Sequence, residues 1–293
     1  MNKIIVGLGE ILWDVFPERK ILGGAPANFA YHTSQFGFDG YAISAIGNDL
    51  LGKEILNSLE EKKLNYLIET TDFPTGTVQV TLDEKGVPQY EICEGVAWDN
   101  IPFTQQAEDL ARTCDAVCFG SLAQRNITSR VTIQCFLNAV PDNCLKIFDI
   151  NLRQHFYSKE LIEESLHLAN ILKINDEEAL VVAELFGCKE MKEQDVCLEL
   201  LKEYNLKLVI LTKGTEGSFV YSGKESSFLA TPKVSVADTV GAGDSFTAAF
   251  VAAYLHGSSL VEAHQLAVEV SAYVCTQHGA MPVLPDAFVE LYK

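Results

Sequence analysis

Along most of the chain, short β-branched apolar runs alternate with longer amphipathic ones. The runs KIIVGL (3–8), YAISAI (41–46), AVCFG (116–120), LKIFDI (145–150), ILKI (171–174) and LVILT (208–212) are candidate strands. Helical patterns follow near Ala25, Leu50, Ser129, Glu160, Asp176 and Asp195. This rhythm predicts an α/β protein with a mostly parallel central sheet and helices on both faces. Residues 75–93, TGTVQVTLDEKGVPQYEIC, depart from it. Period-two alternation on either side of a turn at 83–86 predicts a β-hairpin, and such an insertion beside an α/β body suggests a small β lid over a site.

Composition narrows the partners. A chain of 293 residues is long enough to bury a substantial core. With Lys+Arg 22 against Asp+Glu 40, the net charge of −18 disfavours nucleic acid or an anionic membrane as a general partner. Any bound phosphate must then be held locally, by backbone N–H groups, a divalent cation and a few placed Lys or Arg side chains. The eight cysteines stand singly, with no C-x-x-C pair and no histidine cluster, so neither zinc nor a disulfide framework is indicated. Reduced, mostly buried thiols are expected. The N-terminal apolar run is broken by Glu10, and no later run reaches the ~18 residues of a membrane span. A cytoplasmic location is the expectation.

The candidate chemistry centres on residues 238–250, DTVGAGDSFTAAF, where a glycine-bearing turn runs into a small-residue apolar helix. The first turn of a helix carries unpartnered N–H groups and the positive end of the dipole, so it attracts phosphate. Asp244, inside that turn, is placed to take a proton from a substrate hydroxyl as its oxygen attacks a phosphoryl group. Plain helix capping by Asp238 and Asp244 is the competing explanation. Two other phosphate motifs fail. Gly7-x-Gly9 has Leu12 at the third glycine position of a dinucleotide fingerprint. GNDLLGKE (47–54) has Glu54 where a P-loop needs Ser or Thr for magnesium.

Four further segments carry polar groups at element boundaries. GGAPANFA (23–30) offers close backbone approach at Gly24 and an Asn28 side chain able to donate to and accept from hydroxyls. In FDINLR (148–153), strand alternation puts Asp149, Asn151 and Arg153 on one face, at the strand end where open α/β sheets bind ligands. KINDEE (173–178) places Asn175 and Glu178 at capping-box spacing. LTKGTEGS (211–218) has the glycines of a hairpin turn.

Taken together, and in this order along the chain, these segments resemble the ribokinase-like sugar kinases, also called the phosphofructokinase-B family; the GGAPAN form looks most like the fructokinase branch. The resemblance implies a ribokinase-like fold over residues 1–293, with a β lid from roughly 12–22 and 74–98. By resemblance, Asp244 is the catalytic base and Gly241, Ala242 and Gly243 supply the anion hole. Asp14, Gly24, Asn28 and Arg153 would be substrate ligands, Arg153 toward either the sugar or the transferred phosphate, and Trp98 would cover the sugar or sit in a core. Asn175, Thr212, Gly214 and Gly217 would line the nucleotide cleft, Glu178 would order Mg²⁺ through water, and Asp238 would border a monovalent cation, K⁺. The Gly-x-Asp of residues 47–49 is similar to a family element near the sugar. The function implied is ATP- and Mg²⁺-dependent phosphorylation of the primary hydroxyl of a free sugar, D-fructose first and 2-keto-3-deoxygluconate second, in a homodimer. A non-catalytic sugar or nucleotide sensor is the rival from another class.

Overall fold

The computed structural model describes residues 2–82 and 88–290. Its first strands are β1 (Ile4–Leu8), β2 (Leu12–Val15), β3 (Lys20–Gly23), β4 (Asp39–Gly47), β5 (Asn65–Thr71), β6 (Thr77–Leu82) and β7 (Pro88–Ile92). They are followed by β8 (Ala116–Phe119), β9 (Leu145–Asp149), β10 (Ile171–Asn175), β11 (Leu208–Thr212), β12 (Ser218–Ser222) and β13 (Ser226–Leu229). The larger sheet, in the order β13-β12-β11-β10-β9-β8-β1-β4-β5, is parallel from β11 to β5, while β12 pairs antiparallel with both β11 and β13. The six apolar runs of the sequence all fall in its parallel part, because strands covered on both faces need near-continuous apolar side chains.

Helices cover both faces. Those in the first part of the chain are α1 (Ala25–Gln35), α2 (Leu50–Glu61), α3 (Gln105–Ala111), α4 (Ile127–Ala139) and α5 (Lys159–Leu168). The rest are α6 (Asp176–Leu185), α7 (Glu193–Glu203), α8 (Ala242–Leu255), α9 (Leu260–Cys275) and the short α10 (Asp286–Val289). On one face Phe29 of α1 and Phe36 just after it pack with Phe250 of α8 and Val270 of α9 over Ile5 and Ile147. On the other, Phe136 of α4, Ile162 of α5, Val182 of α6 and Leu200 of α7 pack over Val6, Phe148 and Val209. Successive strand residues thus feed opposite cores.

The second sheet, β3-β2-β6-β7, stands apart from the first. The predicted hairpin is its β6–β7 pair, antiparallel from Val78↔Ile92 to Leu82↔Pro88, while the predicted turn at 83–86 lies outside the described residues. Val78 and Val80 enter the same core as Trp98, which anchors the small sheet to the body. Trp98 is completely buried and is therefore a core aromatic and not a cover for a ligand. The eight cysteines are free, and seven of them are buried or half-buried.

Candidate active site

A cavity of about 1320 Å³ opens along the carboxyl ends of β1, β9, β10 and β11, with Leu12, Val78 and Ile92 of the small sheet closing one end. Its volume exceeds that of a pocket for one small ligand, and its two ends differ in chemistry. Asp244 and Gly243 lie between them.

Helix α8 begins after Gly241, whose φ of 78° is left-handed and whose missing Cβ would fall 2.7 Å from the Ala280 backbone. Only glycine meets both conditions. The Ala242 N–H already donates to the Thr239 carbonyl at 3.3 Å, so of the backbone groups expected to face an anion it is partly engaged. The N–H groups of Gly243 and Asp244, in the first turn, have no acceptor within the helix. The Asp244 carboxylate accepts a 2.7 Å hydrogen bond from Asn28 Nδ2, 216 residues away, because α1 packs along α8. Burial, reinforced by the charge of Asp149, raises Asp244 to about 6, against the lowering influence of the Asn28 hydrogen bond, Lys173 and Arg153.

Beneath this helix start lies a buried ion pair absent from the sequence reading. Lys173 of β10 donates to Asp149 Oδ1 at 2.9 Å, and Thr247 Oγ1 approaches Asp149 Oδ2 at 3.4 Å. A Cβ on Gly243 would lie 2.9 Å from Lys173 Nζ, so the ammonium sits directly under the backbone that would receive an anion. Although burial opposes its charge, Asp149, Glu178 and Asp244 together hold Lys173 well above the usual lysine range. The site thus carries a fixed ion pair, its ammonium turned toward the start of α8.

At one end, Asp14, Gly24, Asn28 and Arg153 all line the cavity, together with Glu10, which the sequence reading did not assign. Gly24 has φ 118°, and a Cβ there would meet the Glu10 carbonyl at 2.4 Å. Burial lifts Asp14 to about 6, with Arg153 lowering it. Arg153 also acts on Glu10 and Asp244, which puts its charge at this end of the cavity. The expected alternation of FDINLR does not hold. Strand β9 ends at Asp149 and Asn151 turns left-handed at φ 44°, a conformation asparagine tolerates better than most residues, so Asp149 enters the buried pair while Arg153 stays exposed. The Gly-x-Asp element is likewise not on the cavity wall. Asp49 caps α2 through Gly52 N and binds Thr75 N and Oγ1, fixing the chain just before β6.

At the other end, Asn175, Glu178, Thr212, Gly214 and Gly217 line the cavity beside the exposed apolar Val234 and Val236. The capping box of α6 forms in full: Asn175 Oδ1 accepts from Glu178 N and Glu178 Oε2 from Asn175 N. Glu178 Oε1 also accepts from Leu152 N, which ties this helix start to the loop bearing Arg153. Each carboxylate oxygen retains a second lone pair, so capping and a water-bridged cation are compatible. Gly214 and Gly217 belong to the β11–β12 hairpin turn and also line the cavity, so a turn there does not exclude a ligand beside it. Asp238 accepts from Val240 N and Gly279 N, drawing the residues after α9 against the approach to α8. The one signal in the sequence for Glu10 and Lys173 is a charge interrupting an apolar strand run.

Residues 10–287 match the family described as pfkB family carbohydrate kinase. The fructokinase of Klebsiella pneumoniae is 30% identical, over 97% of this chain and 97% of that protein. The ATP-dependent 6-phosphofructokinase of Thermoanaerobacterium thermosaccharolyticum is 29% identical over 92% of this chain and 83% of its own. Among solved structures, an uncharacterized sugar kinase from Pyrococcus horikoshii superposes with a TM-score of 0.81 at 27% identity, covering 95% of this chain and 94% of that one. The same archaeal protein has also been solved in complex with ATP. The fold, the order of the motifs and this match along nearly the full length agree: the chain belongs to the pfkB family of carbohydrate kinases, phosphotransferases whose acceptor is an alcohol.

Proposed function

We propose that this carbohydrate kinase uses ATP with Mg²⁺ to phosphorylate the primary hydroxyl of a free sugar, D-fructose before others. The observation that carries the reading is Asp244 itself, bound to Asn28 at the helix start that separates the two ends of the cavity. Asp14, Gly24, Asn28 and Arg153 hold the sugar, and the residues from Asn175 to Gly217 hold the nucleotide. Asp244 takes the proton of the acceptor hydroxyl as that oxygen attacks the γ-phosphorus. Charge that develops on the transferred group is met by the first-turn N–H groups and by Lys173 beneath them. Glu178 is positioned to hold Mg²⁺ through water, an arrangement suited to an ion that keeps several waters and binds chiefly to phosphates. The bound ion supplies charge neutralisation on those phosphates. Support for ATP comes from the archaeal relative's complex, and support for fructose from the fructokinases among the relatives. The proposal extends to K⁺ beside Asp238, to a homodimer through the small sheet, whose edge strands are β3 and β7, and to a cytoplasmic location.

A base that must be ionised predicts an acid limb. With Asp244 raised to about 6, kcat/KM for the acceptor should fall about tenfold per pH unit below that point and level off above it. Initial rates of ADP release between pH 5 and 8 measure this. A rate that stays flat down to pH 5 would remove Asp244 from the role of base.

A further inference from the structure

Glu10 is a carboxylate in an unusual position. It is 3% exposed, lines the acceptor end of the cavity, and its Oε2 has no hydrogen-bond partner. The buried Asn28 Oδ1 on the same wall is also without a donor, although Asn28 Nδ2 is bound to Asp244. Two buried acceptors beside the proposed base thus lack donors, and a buried acceptor without a donor carries a desolvation penalty that a ligand can relieve. What relieves it must bring hydrogen-bond donors, as the hydroxyls of a sugar do.

The charge around these acceptors restricts the ligand further. Glu10, Asp14 and Asp244 all face this end of the cavity. Among the described residues, three basic side chains line it: Lys173 is paired with Asp149, Lys233 stands with Val234 on the nucleotide wall, and Arg153 acts on all three carboxylates. A carboxylate or phosphate on the acceptor would meet more negative charge than one arginine can offset. We propose that Glu10 selects the acceptor: with Asn28 Oδ1 it receives hydroxyl hydrogens of an uncharged polyhydroxy substrate, and it rejects sugar acids and sugar phosphates. Burial, then the charge of Asp244, lifts Glu10 to about 7, against hydrogen bonds from its own and the Ala25 backbone N–H groups and the charge of Arg153; a ligand hydroxyl donating to the carboxylate would favour its ionised form.

This inference rests on the sugar-kinase reading for its site but is tested by binding, separately from turnover. Calorimetry on the full chain would compare D-fructose, 2-keto-3-deoxygluconate and fructose 6-phosphate, for the natural protein and for Glu10→Gln. The natural protein should bind D-fructose at least about tenfold more tightly than either anion, the scale of one charge-assisted hydrogen bond. Glu10→Gln, which retains the shape and removes the charge, should narrow that ratio severalfold while leaving ATP affinity and Tm at or above their natural values. An anion bound more tightly than fructose, an unchanged ratio in a folded Glu10→Gln protein, or no binding of any of the three would each overturn it. Fructose binding without ADP release would instead contradict the kinase reading and leave the selectivity standing.

Discussion

Asp244→Asn is expected to lower kcat by about 10²- to 10⁴-fold, the range contributed by a positioned general base. The asparagine has the same size and retains a carbonyl oxygen able to accept the 2.7 Å hydrogen bond now made by Asn28. The helix start at Gly241 does not depend on the carboxylate, because the turn is set by a left-handed glycine. ATP affinity should therefore change by less than about threefold, since what is lost acts on the proton and not on binding. Steady-state ADP release at saturating ATP and acceptor, with ATP binding measured in parallel, separates the two. A variant that turns over at near the natural rate would mean that the acceptor proton leaves by another route.

Arg125→Ala should produce the largest loss of stability. Arg125, in the turn after β8, donates to both oxygens of Asp99 at 2.7 and 2.9 Å and to the Cys93 carbonyl at 2.6 Å. Its guanidinium also lies 4.0 Å from the Trp98 ring centroid and 4.6 Å from that of Phe156. The side chains of Arg125 and Asp99 are only 6% and 3% exposed, so removing the cation strands a buried carboxylate. Such losses cost about 3–5 kcal/mol, or on the order of 10 °C in Tm for a chain of this size. Because Cys93 follows β7 directly, the same change loosens the small sheet that closes the acceptor end, and the KM for the sugar should rise with it. Replacing Asp99 with Leu in the Arg125→Met background should recover much of the stability, since a buried pair replaced by apolar groups is often neutral. Thermal unfolding decides: a Tm within 2 °C of natural for Arg125→Ala would mean that solvent already reaches the pair.

The parts of this molecule legible in the sequence are those where one local property fixes the outcome. The parallel strands announce themselves because burial on both faces requires unbroken apolar runs such as LVILT. The helix start at Asp244 is legible because the whole string DTVGAGDSFTAAF resembles a family signature, whereas its glycines and acids alone also fit plain capping. By contrast, β5 (NYLIETT) lies at the sheet edge, half-buried, and its polar residues hide it; β12 and β13 close the other edge in the same way. Helix α9 is apolar around much of its circumference because α8 covers it, so no clean stripe marks it. Glu10 and Lys173 show the limit within the site. A charge within or just after an apolar strand is visible in the sequence, but whether it meets Asp149, as Lys173 does, or leaves an oxygen without a partner, as Glu10 Oε2 is, depends on elements far away in the chain.

In the proposed reaction the cavity joins ATP to a neutral sugar through Asp244. Mg-ATP turnover, followed as ADP release, tests it most directly when D-fructose, 2-keto-3-deoxygluconate, ribose and adenosine are compared as acceptors. Release should depend on the added acceptor, be highest with fructose and fall at least about a hundredfold in Asp244→Asn. Bound ATP with no acceptor-dependent release, or turnover highest with the sugar acid, would contradict it.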